Sequence, residues 1–252
     1  MKKKKEMKFD IIFLSYDEPL AEEHWERLKK CYPYAKRVHG VKGILNAHKK
    51  CAELAKTDYF YVVDGDAYIL DSFNFRECPS ELSQSFFYMW SSRNAINDLT
   101  YSNGGVKLLP KTILDNIKDY GLDMFITIPH KNMPEVASLS RFNASPFYSW
   151  RAGFRESAQL ACNACKHSKE IKKQMRIYLI NIWCNKGANR KFGRWCIMGA
   201  RAGRRYGMEN KSNEKGIEKI NDFDWLKKRF YYELREGYLR DMERELEEDQ
   251  KP

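Results

Sequence analysis

Asp64-Gly65-Asp66 ends an aromatic and β-branched run, Tyr59-Phe60-Tyr61-Val62-Val63, and apolar residues resume at Ala67-Tyr68-Ile69-Leu70. The run has the character of a buried strand. Two carboxylates therefore flank a glycine where a strand reaches the edge of its sheet. Burying either charge unpaired is costly, so a partner is expected. A divalent cation is the simplest partner for two carboxylates. Oxygen ligands select Mg²⁺ or Mn²⁺, ions that commonly bridge to substrate phosphates. The glycine allows a sharp turn and a close approach by a ligand.

Several elements must position that motif. Phe9 to Tyr16 reads as a first strand, Ala21 to Cys31 as a helix, and Arg37-Val38 as part of a short strand. Lys42-Gly43 and the residues up to His48 form a turn that leads into a helix over Lys49 to Lys56, which feeds the Asp-Gly-Asp strand. This βαβαβ order predicts a parallel sheet with ligands at the C-terminal ends of its strands. Phe86 to Trp90 reads as a further strand and Ser91 to Asn94 as a loop. Tyr101 to Lys111 reads as a loop turning into a strand, where the paired Gly104-Gly105 would permit a close approach by substrate. Residues 112–120 suggest a helix. Residues 121–149, with Pro129, Pro134 and Pro146, suggest substrate-side loops. Helices are expected over 154–184, over the segment holding Gly199 and Gly203, and over 221–249. The two glycines would let their helix pack closely on a neighbour. The last helix carries an apolar stripe suited to packing or to a homodimer contact.

The chain has 252 residues, 43% hydrophobic and 14% aromatic, enough for a substantial core. No apolar run is long enough for a transmembrane helix. The basic start Met1-Lys2-Lys3-Lys4-Lys5 lacks a signal-peptide pattern, so a cytoplasmic protein without membrane insertion is expected. Seven cysteines, an odd number, suit free thiols. Cys162-Asn163-Ala164-Cys165 has no matched second pair at zinc spacing. Charge is unevenly spread: residues 166–229 hold 18 Lys and Arg against 6 Asp and Glu. Such a surplus suits a polyanionic acceptor, because basic side chains that neutralise phosphates release counterions.

The chain resembles nucleotide-sugar-dependent glycosyltransferases of the GT-A fold. Within them it is similar to small bacteriophage-encoded transferases, including DNA-modifying ones. The residues that carry the likeness are Arg37 to Gly43, Val62-Val63-Asp64-Gly65-Asp66, Asn97-Asp98, Gly104 to Lys111, and Phe154-Arg155-Glu156. The resemblance covers roughly residues 8–207. It implies an α/β fold, a GT-A-type, Rossmann-like mixed sheet flanked by helices. Residues 1–160 would form the nucleotide-sugar-binding and catalytic core, and residues 161–252 a basic helical region packed on it.

What the resemblance implies for the site can be set out residue by residue. Asp64 and Asp66 would hold Mn²⁺ or Mg²⁺, with His130 as a late ligand. Ser15, Tyr16, Lys42, Gly43, His48, Asp64, Arg201 and Arg204 would bind a nucleotide-sugar donor, a UDP-sugar. Glu156 or Asp98 would be the catalytic base if the reaction inverts the sugar, and a retaining reaction needs no such base. The acceptor expected is duplex DNA bearing a hydroxymethylated base. Two alternatives stand beside it: transfer to a protein or cell-surface glycan, and a non-catalytic nucleic-acid-binding protein on a degenerate transferase scaffold.

Overall fold

The computed structural model describes residues 9–75, 81–114, 117, 128–162 and 170–235. They divide into a sheet unit, Met1–Asn94 with Thr100–Arg141, and a helical unit, Ala95–Leu99 with Phe142–Pro252. The division falls at Arg141, ahead of the boundary expected near residue 160, so the helix carrying Glu156 groups with the other helices.

The sheet unit begins as the pattern predicts: β1 (Asp10–Ser15), α1 (Ala21–Cys31), β2 (Lys36–His39), α2 (Ile44–Leu54) and β3 (Tyr59–Asp64). β4 (Ala67–Ile69), β5 (Phe87–Asn94), β6 (Thr100–Pro110) and β7 (His130–Ser140) complete a seven-stranded sheet of order β2-β1-β3-β6-β5-β7-β4. β1 pairs in parallel with β2 and β3, and β5 with β7. β6 runs antiparallel to β3 and β5, and β4 antiparallel to β7. The sheet is therefore mixed, flanked by helices, as the resemblance implies.

Alternation divides the strand residues between two faces. Phe13, Tyr61, Val63, Tyr88, Trp90 and Leu108 pack with Leu28 of α1 on one. Ile12, Phe60, Val62, Phe87, Met89 and Leu109 pack with Cys51 of α2 and with Ala55 just after it on the other. In α1 the buried residues Ala21, His24 and Leu28 recur at helical spacing. Glu22 and Glu23 in its first turn and Lys29 and Lys30 in its last complement the helix dipole.

Four expectations for this unit need correction. Ser91 to Asn94 continue β5, and Tyr101 to Pro110 belong to β6 throughout, because each segment finds a paired neighbour on the other. β7 falls in the stretch read as loops. Its Pro134 hid it, yet the register jumps from Trp90↔Met133 to Ser91↔Val136, so Pro134 sits in a bulge where no ladder donor is needed. Helix α2 starts at Ile44, ahead of Lys49, with Gly43 at its N-cap in a left-handed conformation (φ 90°) that favours glycine.

The helical unit comprises α3 (Pro146–Ala161), α4 (Glu170–Asn185), α5 (Gly193–Glu209), α6 (Glu214–Glu218) and α7 (Phe223–Arg235). Ser145 caps α3 by accepting from the Tyr148 N–H at 3.3 Å, with Pro146 in the first turn. α3 and α5 pack backbone to backbone. A Cβ added at Gly199 would stand 2.0 Å from the Trp150 carbonyl oxygen, and one at Gly203 2.0 Å from that of Phe154. Gly207 repeats the contact one turn on, against Ala158. The close packing expected of Gly199 and Gly203 is realised by a stripe at four-residue spacing. The apolar stripe of α7 packs inside this unit, where Phe230 lies against Phe147, Trp150 and Trp195. The rest of the expected helix over 221–249, and Cys165, lie outside the described residues. Cys162 is buried, its thiol directed to the Gln159 carbonyl. Among the described residues no helix is long and apolar enough to cross a membrane.

Candidate active site

β3 carries Asp64 to the C-terminal edge of the parallel strands, beside Leu14 of β1. Ser15, Tyr16, Lys42 and Gly43 stand at the same edge, where β1 ends and where β2 turns into α2. The turn after Asp64 is held from two sides. The Arg141 backbone N–H donates to the Asp66 carbonyl at 2.8 Å. The His24 ring donates from Nδ1 to the Gly65 carbonyl at 2.9 Å, since a carbonyl can only accept. His24 is 2% exposed, and burial holds its pKa below the ordinary histidine range.

Gly65 is required by a close approach. A Cβ there would lie 2.6 Å from Oε2 of Glu18 and 3.0 Å from Cβ of Ser15. Glu18 is itself fixed by the Tyr16 backbone N–H, which donates to Oε2 at 2.7 Å. Burial raises the Glu18 pKa, and the neighbouring charge of Asp66 adds to the rise. Three carboxylates, Glu18, Asp64 and Asp66, thus lie within one another's field.

Asp64 already has a cation. Lys107 of β6 places its Nζ 2.7 Å from Oδ1 and 2.9 Å from Oδ2 of Asp64. The lysine side chain is 1% exposed and the aspartate side chain 33%. Burial pushes the Asp64 carboxyl up to about 7; Lys107 pulls the other way, and the like charges of Asp66 and Glu18 reinforce the rise. Among the described residues no side chain is bonded to the Asp66 carboxylate.

Other expected residues fall elsewhere. His48 was expected to contact the nucleotide. Because α2 starts five residues early, His48 lies in the helix interior with its Nδ1 donating to the Ile44 carbonyl at 2.8 Å. Burial first, then the charge of Lys107, takes its pKa down to about 3. His130 opens the eleven-residue strand β7, whose other end, Ser140, pairs with Ala67 beside Asp66. That separation is about 30 Å along the strand, so His130 is not brought to the carboxylates. It lies against Phe87 instead. Ser15 is buried, and its hydroxyl is engaged by His39 Nδ1 at 2.9 Å and Arg37 Nε at 3.2 Å. Tyr16 is exposed, as are Lys42 and Gly43.

Glu156, Asp98, Arg201 and Arg204 all belong to the helical unit. Glu156 lies on α3, half-buried. Its neighbour Arg155 donates to the Ile220 carbonyl at 2.8 Å and to Asn221 at 3.0 Å. Asp98 is exposed, with a left-handed backbone (φ 60°), and accepts from Arg190 at 3.1 Å. Arg201 donates to the Cys184 carbonyl at 3.1 Å and to Asn185 at 3.3 Å, tying α5 to the end of α4. Arg204 is exposed.

The donor type of Asp66, Glu18 and Asp64 fits a hard divalent cation. Among the described residues no three His, Cys, Asp or Glu side chains form a ready cage. Mg²⁺-type sites need none, since one or two carboxylates with water and substrate phosphates suffice. Asp66 with Glu18 would hold the ion, and Asp64 would stand beside it on its lysine.

Sequence reading gave Lys107 no role of its own and missed Glu18 and His24. Lys107 had a signal, a lone charge inside Val106-Lys107-Leu108-Leu109 on a buried strand. Glu18 had a weaker one, its place just beyond β1. His24 had none, since helical periodicity marks it only as buried.

No protein-family model matches the chain, and no curated protein does. Solved structures do. One is a glycosyltransferase involved in the glycosylation of the major capsid of PBCV-1, at 15% identity and a TM-score of 0.35, covering 49% of this chain and 81% of that one. Another is HddC from Yersinia pseudotuberculosis, at 17% identity and a TM-score of 0.29, covering 53% of this chain and 69% of that one. At such scores the likenesses carry no inference about activity, and the reading of the site rests on its own residues.

Proposed function

We propose that this protein is a metal-dependent glycosyltransferase that moves a sugar from a nucleotide-sugar donor, a UDP-sugar, to an acceptor hydroxyl. The observation that carries the reading is Asp64-Gly65-Asp66 at the C-terminal end of β3, with Glu18 beside it and the exposed Lys42-Gly43 turn on the same strand edge. When bound, Mn²⁺ or Mg²⁺ would offset the charge that builds on the departing diphosphate. Lys42, exposed on that turn, supplies an ammonium for the same phosphates. Glu156 takes the acceptor proton if the reaction inverts, with Asp98 as the second candidate.

The acceptor we propose is a hydroxymethylated base in duplex DNA. The surplus of 18 basic over 6 acidic residues in 166–229 supports it, and the hydroxymethyl group offers the nucleophile. Reaching it calls for groove access or for extrusion of the base.

The test incubates a panel of UDP-sugars and Mn²⁺ with DNA containing hydroxymethylcytosine, followed by nucleoside mass analysis. Mass addition to that DNA and none to unmodified DNA supports the reading. Transfer to protein or glycan with no DNA product moves the acceptor, and absence of any donor turnover overturns the enzyme. In a parallel binding assay, duplex affinity falls with salt at a log–log slope of about −0.9 per phosphate contacted. The Arg204→Ala/Arg205→Ala double variant flattens that slope for all sequences alike.

A further inference from the structure

We propose that Lys107 is an internal counter-cation that withholds Asp64 from the metal ion and leaves Asp66 as the carboxylate that ligates it. The inference rests on the metal-dependent reading above and deepens it.

The geometry is two-pronged. One ammonium spans both Asp64 oxygens, at 2.7 and 2.9 Å, so neither oxygen is left as an uncommitted anionic ligand. Lys107 cannot swing away to release them. Its backbone lies in β6 between Val62 of β3 and Met89 of β5. Its side chain is 1% exposed, and the buried His48 and Cys51 of α2 both feel its charge. A charge held this deep persists only with a partner, and Asp64 is that partner.

Charge balance leads to the same assignment. Three carboxylates share the turn, and a single divalent ion matches two of them. Lys107 matches the third from beneath the sheet edge. Asp66, to which no described side chain is bonded, is then the anionic oxygen donor open to a cation.

Two roles for Lys107 predict opposite signs. If it only oriented a metal ligand, removing it would weaken metal binding by about 10–100-fold. As a counter-cation that withholds a ligand, its removal exposes a further carboxylate to the ion and strengthens binding.

The experiment titrates Mn²⁺ alone into the whole protein by calorimetry. Asp66→Asn is expected to weaken binding by more than about 10-fold, and Asp64→Asn by less than about 3-fold. Lys107→Met is expected to tighten binding several-fold, and Lys107→Met/Asp64→Asn to return it to the wild-type value. Loss in Asp64→Asn equal to that in Asp66→Asn overturns the inference, and so does weaker or unchanged binding by Lys107→Met. Where Lys107→Met fails to fold, the double variant, which removes the pair together, and Asp64→Asn decide. Wild-type protein that binds no Mn²⁺ overturns the metal reading itself and this inference with it. Tight wild-type binding that Asp64→Asn abolishes overturns the inference alone.

Discussion

In the sheet unit, ionisable side chains sit inside the protein or at its edge on specific partners: Lys107 on Asp64, His24 on the Gly65 carbonyl, His48 on that of Ile44. In the helical unit the central contact is α3 against α5, made by glycines lying on carbonyl groups. The two are costly in different ways. Buried charge loses hydration that only a well-placed partner repays. Glycine in a helix loses about 1 kcal/mol of propensity, repaid by the close approach it permits. A fold keeps the first kind of cost where a group must be held in position, and the second where two elements must meet closely. On this ground we propose that the donor and metal chemistry belongs to the sheet unit's strand ends.

The strongest way to break that division is to remove Asp66, the carboxylate to which no described side chain is bonded. Asp66→Ala is expected to lower sugar transfer by at least about 10²-fold while the unfolding transition stays within about 0.5 kcal/mol of wild type. Donor turnover and chemical denaturation measured on the same preparation check it. Full activity in Asp66→Ala removes the motif from the chemistry.

Glu156 tests the division from the other side, since it lies in the helical unit. If it is the base of an inverting reaction, Glu156→Gln lowers turnover by about 10²–10⁴-fold with donor binding little changed. If that loss appears in Asp98→Asn instead, the roles exchange. If neither variant loses activity, no base comes from the helical unit, and the sheet unit holds all of the chemistry.

How far these features could be read beforehand follows the range of the forces involved. β1 through β3 were legible because hydrophobic period and strand composition are local properties. Asp64 and Asp66 were legible because two charges interrupt an apolar run. β7 was not, because Pro134 is a strand breaker unless a bulge takes it, and the bulge depends on where β5 pairs. Lys107 was named in a motif without a role, since its partner lies 43 residues earlier and the contact exists only once β6 pairs with β3. His48 was misplaced by a boundary: starting α2 at Ile44 turns the same residue inward. Gly199 and Gly203 were read correctly because their meaning lies in their spacing on one helix.

The glycine contact sharpens the comparison at the level of stability. Gly203→Ala puts a methyl group where the Phe154 carbonyl oxygen would be 2.0 Å away, against backbone that cannot rotate aside. α3 and α5 must part, and the expected cost is about 3 kcal/mol. Thermal or chemical unfolding measures it. A cost below about 1 kcal/mol would show that α3 and α5 part easily enough to admit the methyl group.

The smallest effect concerns pH. His48 has a pKa of about 3 when folded, through burial and Lys107, and about 6.5 when unfolded. Its folded value is depressed, so the unfolded chain binds more protons between those limits. The stability His48 contributes is complete above about pH 6.5 and declines as the pH falls toward 3. From pH 7 to pH 5 the loss is about 2 kcal/mol. Carboxyl groups oppose it: Asp64, raised to about 7, and both Glu18 and, in α7, Glu233, raised mainly by burial, are relieved by protonation, so acid favours their folded forms. Wild-type stability alone therefore mixes the signs, and a difference isolates one. The unfolding free energy of wild type minus that of His48→Gln should fall by about 2 kcal/mol between pH 7 and pH 5, because Asp64, Glu18 and Glu233 are common to both proteins. The matching measurement with Glu233→Gln should change in the opposite direction. A difference that stays flat for His48→Gln would mean that the ring titrates inside the fold as it does in the unfolded chain, and that neither burial nor Lys107 lowers its pKa.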